Sequence, residues 1–82
     1  MNYVTALRSL CLELVDDKDN LKVVEMPSLE ENEIILYVYA TQSDLAKLIG
    51  KKGAMASSIR HLMSVVGMKT KKKVIIKFES YE

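Results

Sequence analysis

The segment Ile49-Gly50-Lys51-Lys52-Gly53 carries the residue types suited to holding a polyanion. Two glycines bracket two lysines. Glycine reaches positive φ without a Cβ penalty and lets a ligand come close to the main chain. Lysine adds mobile point charges. Amphipathic sequence on both sides predicts a tight turn between two helices. The second helix would then start with free backbone N–H groups and the positive end of its dipole. Its first turn reads Ala54-Met55-Ala56-Ser57, with no Asp or Glu to repel a phosphate. Helical spacing brings Lys47 and Arg60 near the loop, within reach of a nucleic-acid backbone or base edges. Ile49 and Ile59 read equally well as plain core or as the apolar floor of a binding groove, and Arg60 equally well as a solvated helix residue.

The charge distribution favours the same half of the chain. Residues 1–44 hold three bases against nine acids, a net −6, and residues 45–82 hold nine bases against two acids, a net +7. The overall charge of +1 therefore conceals a basic half, the electrostatic footprint expected of a protein that meets a polyanion. Lys69, Lys71, Lys72 and Lys73 either extend that surface or only solubilise a connector.

Other chemistries find little support. No carboxylate pair, nucleophile–base pair or metal-ligand cluster is spaced for catalysis, so a non-enzymatic role with no cofactor and no metal is expected. The glycine segment lacks the Gly-Lys-[Ser/Thr] ending of a P-loop. Cys11 is the single cysteine and shares a helical face with Leu7 and Leu14, which marks it as core. His61 has no second histidine nearby and is expected on an exposed or partner-facing helix side. No apolar run reaches transmembrane length, so no membrane insertion is expected. The first residues lack the pattern of a signal peptide, and a cytoplasmic location is the simplest expectation.

Eighty-two residues predict one small domain over 1–82. Val4, Leu7, Leu10, Cys11, Leu14 and Val15 recur at helical spacing and predict a helix over 3–16. Strands are expected over 21–26 and 33–40, the first ended by Pro27. In the second, Ile34, Leu36, Val38 and Ala40 share the core face. Thr41 and Asp44 form a helix start close to a capping box. A short helix follows and stops at Gly50. The next runs over 54–66 with Met55, Ile59, Leu62, Met63 and Val66 as its apolar stripe and Gly67 as its C′ residue. A last strand over 73–79 turns Val74, Ile76 and Phe78 to the core.

The order αββααβ, with Ile49-Gly50-Lys51-Lys52-Gly53 between two helices, resembles a type II KH domain and its GXXG loop. The stretches Gln42-Ser43-Asp44-Leu45 and Ser58-Ile59-Arg60 narrow the resemblance to the small bacterial single-KH RNA-binding family of the KhpA type. It implies an α+β fold with helices packed on one face of a three-stranded sheet. It also implies binding of single-stranded RNA across about four nucleotides. The implied contact set is Lys47, Ile49, Gly50, Lys51, Lys52, Gly53, Ala54, Ser57, Ile59 and Arg60. Ala54 departs from the family pattern, which commonly has arginine there, and so removes one candidate phosphate contact. The resemblance further implies a homodimer, or assembly with a larger KH-containing protein of the KhpB/Jag type, with His61, Leu62 and Ser64 near the contact. A protein-interaction module in which RNA binding is secondary is the competing reading.

Strand alternation sends Ile35, Tyr37 and Tyr39 to the face opposite the core, with Ile75 beside them. Two readings stand for that face: an amphipathic surface with hydroxyls in water, or a second protein-contact surface.

Overall fold

A computed structural model describes residues 2–81. The chain runs α1 (Tyr3–Leu12), β1 (Lys22–Met26), β2 (Glu33–Ala40), α2 (Gln42–Ile49), α3 (Ala54–Lys69) and β3 (Lys73–Ser80), with short 3-10 turns at Lys18–Asn20 and Lys51–Gly53. The fold is α+β in the expected αββααβ order. β2 is central: it pairs antiparallel with β1 and parallel with β3, giving a mixed sheet. Among the described residues no helix is long and apolar enough to cross a membrane.

The core lies between the helices and one face of the sheet. Ile34, Leu36, Val38 and Ala40 are all buried, as the alternation requires, and meet Leu7, Cys11, Leu48, Ile59 and Met63 from the three helices. Burial pushes the Cys11 thiol up to about 11, which leaves it protonated and unreactive at neutral pH. Alternation leaves the opposite sheet face without a helix. In register across it stand Lys22 and Tyr39, Val24 and Tyr37, and Met26 and Ile35 from β1 and β2. On the β3 side Ile75 pairs with Ile35 and Lys77 with Tyr37.

Two helix ends differ from the sequence reading. α1 stops at Leu12 rather than near residue 16. Leu14 and Val15 keep the apolar spacing because both still pack against the core. The backbone has already turned: both N–H groups return to the Cys11 carbonyl, and the Lys18 ammonium donates to the Leu12 and Val15 carbonyls at 2.6 and 3.2 Å. α3 runs three residues beyond 66, to Lys69, and Gly67 lies inside it. A Cβ at Gly67 would sit 2.5 Å from the Lys72 carbonyl oxygen and 2.8 Å from Val74 Cγ2, so the glycine is there for close packing rather than as a stop. The left-handed residue is Lys71, at φ 58. Its N–H bonds the Met68 carbonyl and the Lys72 N–H bonds the Gly67 carbonyl, which is the Schellman pattern.

Asp44 ties the N-terminal segment to α2. Its N–H donates to Thr41 Oγ1 at 3.3 Å, as expected of a helix start. The carboxylate does not complete a capping box. It accepts from the Asp16 and Asp17 backbone N–H groups at 3.0 and 2.9 Å and is only 2% exposed. Those two bonds hold its pKa below the ordinary 3.8; burial opposes the shift, and the Lys47 ammonium 3.6 Å away adds to it. A carboxylate depressed in this way stabilises the folded state fully above its unfolded pKa and less as pH falls through the folded value. Denaturation measured over a pH series should therefore show stability falling below about pH 4. Asp44→Asn should be less stable than wild type at neutral pH, and the gap between the two should narrow on acidification.

Candidate nucleic-acid interface

α2 ends because Gly50 leaves helical space. Its N–H still closes on the Ala46 carbonyl at 2.9 Å, but φ 76 and ψ 177 place it in a region essentially restricted to glycine. A Cβ there would meet Met55 Cβ at 2.7 Å and Met55 N at 2.9 Å. The chain reverses through a turn closed by Gly53 N–H on the Gly50 carbonyl at 3.2 Å. Lys52 is also left-handed, at φ 56 and ψ 25, and Gly53 follows at φ 78 and ψ 10. Three of the four residues from Gly50 to Gly53 thus have positive φ. Lysine pays a conformational penalty of about 1–2 kcal/mol in that region. Strain of this kind collects at binding sites, where the surrounding structure holds it in place.

Gly53 is the N-cap of α3, and it offers no side chain to accept from the first N–H groups of the helix. No acidic residue occupies that first turn. Lys51, Lys52, Ala54 and Ser57 are exposed around the turn. Backbone donors, a helix dipole and two lysines therefore converge on one open corner. Ile49 is 37% exposed beside it. Ile59 is 3% exposed and packs in the core cluster.

The two outlying cations are not free of partners. Lys47 Nζ is ion-paired to Asp16 and lies near Asp44, and the hydrogen bond to Asp16 is the main cause of its raised pKa. Arg60 Nη2 donates to the Ile76 carbonyl at 3.2 Å, and the guanidinium lies 5.2 Å over the Phe78 ring. Arg60, on the exposed side of α3, thus reaches across to β3. Neither pairing is visible in sequence, since the partners are 31 and 16 residues away.

On α3, His61, Leu62 and Ser64 are exposed, with Leu62 at 51%. Ala6 and Leu10 of α1 join His61, Leu62, Val65 and Val66 of α3 in an almost wholly apolar groove of ≈390 Å³.

Helices on one face of a β1-β2-β3 mixed sheet, with a Gly-Lys-Lys-Gly turn between α2 and α3, define a type II KH-like fold. The chain belongs to the KhpA/KhpB KH-domain family, whose model matches residues 4–78. The chain is 33% identical over 64 residues to the RNA-binding protein KhpA of Aquifex aeolicus, an alignment covering 78% of each chain. It is 36% identical over 63 residues to that of Clostridium perfringens, covering 77% of this chain and 81% of the relative. It is 33% identical over 69 residues to that of Bacillus subtilis, covering 84% and 80%. No solved structure matches at comparable significance.

The two glycines should respond differently to substitution. Gly50→Ala meets both a forbidden backbone region and the Met55 main chain, whereas a Cβ at Gly53 meets nothing within 4 Å. Gly53→Ala should cost about 1–2 kcal/mol, the left-handed penalty alone. Gly50→Ala should cost more than that and displace the start of α3. Urea denaturation of the two variants checks the order, and equal losses would contradict it.

Proposed function

We propose that the protein binds single-stranded RNA without catalysis, through the Gly50-Lys51-Lys52-Gly53 turn and the start of α3. The observation that carries this reading is the uncapped, acid-free N-terminus of α3 beneath two exposed lysines. Family membership and the names of the relatives support it. In this reading the phosphates rest against the backbone N–H groups of the turn and the ammoniums of Lys51 and Lys52. Gly50 and Gly53 allow the close approach, and Ala54 and Ser57 border it without adding charge. A base packs on Ile49. Lys47 contributes indirectly, by fixing the α1–β1 connection to α2 through Asp16. Arg60 shapes the β3 side of the groove and contacts RNA only if it exchanges the Ile76 carbonyl for a base or phosphate. The place of action consistent with such a role is the cytoplasm.

Four nucleotides on one turn give little surface, so the working unit is read as a dimer. Linking two sites raises affinity through effective concentration. The apolar α1–α3 groove with His61, Leu62 and Ser64 at its margin is the contact favoured here, because it leaves the glycine turn open. The same face would receive a KH-containing protein of the KhpB/Jag type.

Lys51→Asp combined with Lys52→Asp should abolish RNA binding at the glycine turn, and so weaken overall affinity strongly, while leaving the circular dichroism spectrum unchanged, since both side chains are exposed. With ~2–3 phosphate contacts, log K against log[salt] should fall with a slope of about −1.5 to −2. Wild-type affinity in the double variant would end this reading. Leu62→Glu should convert the dimer to a monomer in sedimentation experiments at tens of micromolar while leaving the affinity of each domain for a short oligonucleotide unchanged.

A further inference from the structure

The helix-free face of the sheet carries a row of aromatic rings. Tyr37 and Tyr39 lie with ring centroids 6.0 Å apart and planes 19° from parallel. Tyr81, just beyond β3, continues the row at 6.0 Å from Tyr39 with a tilt of 34°. None of these three rings belongs to the core cluster. Lysines stand on both sides: Lys22 of β1 is in register with Tyr39, and Lys77 of β3 with Tyr37. Beside the row, Lys22, Tyr39 and Tyr81 line an open groove of ≈490 Å³. Glu79 faces Tyr39 from the β3 side, so the positive flank of that ring is the side of Lys22 and the groove.

We propose that this face is a second binding surface for single-stranded nucleic acid, on which bases stack against Tyr37, Tyr39 and Tyr81 while phosphates are held by Lys22 and Lys77. Aromatic side chains on an open sheet with cations at their edges supply the two elements of sequence-tolerant single-strand binding: stacking planes and a positive border. The dimensions point the same way. Strands about 4.8 Å apart with a rise of about 3.3 Å per residue make a face on the order of 14 by 26 Å. That is well below the ~800 Å² per partner of a standard protein interface, but room enough for a few bases. Single-stranded nucleic acid is therefore favoured over the protein contact that the strand pattern alone suggested. The proposal is independent of the glycine turn, which lies between the helices rather than on this face.

The test uses the full chain, oligo(U) as probe, and backgrounds with and without Lys51→Asp plus Lys52→Asp. Ring resonances of Tyr37, Tyr39 and Tyr81 should shift on addition of oligo(U) in both backgrounds. In the lysine double variant, replacing the three tyrosines by leucine should weaken oligo(U) binding at least about fivefold, as expected for loss of even one stacked base. Replacement by phenylalanine should retain binding, which separates stacking from hydroxyl contacts and from damage to the fold. Unshifted rings in both backgrounds would overturn the proposal even if the glycine turn binds. Shifted rings with full affinity in the lysine double variant would uphold it and reject the turn. If the leucine variant alters sedimentation but binds oligo(U) as wild type does, the face is a protein contact and the proposal fails.

Discussion

One backbone conformation governs the corner between α2 and α3. Gly50 adopts φ 76 and ψ 177 with the Met55 main chain where its Cβ would be. Only there does α2 stop abruptly enough for α3 to begin four residues later. The reversal sets the direction of α3, so that the positive end of its dipole faces solvent at the turn. It also forces Lys52 into left-handed space. The lysines are thus presented by a main chain whose path is already fixed, so that any ligand of the proposed site would meet preorganised donors rather than a loop that must order on contact.

The turn would be of little use on a mobile helix pair. α2 is held from below by Leu48, fully buried in the core, and from its other end by the Asp44 carboxylate. Two backbone N–H groups from the segment after α1 find their acceptors there, and Lys47 adds an ion pair to Asp16. α3 is clamped against β3 by the closeness that Gly67 permits and by Arg60 reaching the Ile76 carbonyl. Polar contacts thus fix both helices at points where apolar packing alone would leave them free to slide.

Much of this was legible in the sequence because it rests on local periodicity. The buried set Ile34, Leu36, Val38 and Ala40 follows from alternation, and the helix start at Thr41 from its hydroxyl three residues before Asp44. The glycine turn was legible because glycine is nearly the only residue for such a path. What escaped reading depends on contacts between distant residues. Asp44 has the sequence context of a cap, yet its carboxylate serves donors 27 and 28 residues away. Gly67 resembles a helix stop, but the stop is made by Lys71, a residue with no preference for left-handed space. Lys47 and Arg60 looked available because spacing gives position and not partners. Apolar spacing also overstated α1, since Leu14 and Val15 pack inward from a turn as well as from a helix.

The parallel pairing of β2 with β3 joins distant parts of the chain. Glu33 meets Lys73 and Ala40 meets Ser80, partners 40 residues apart, with α2, the glycine turn and α3 filling the interval. Such a pairing closes a long loop before any of its hydrogen bonds reward the entropy lost, which slows folding relative to a chain of local contacts. The β1–β2 hairpin and the α2–α3 corner are local and can form early. The residues of the α2–α3 turn lie inside that loop, so the path they set bears on closing the sheet as well as on the surface the turn presents.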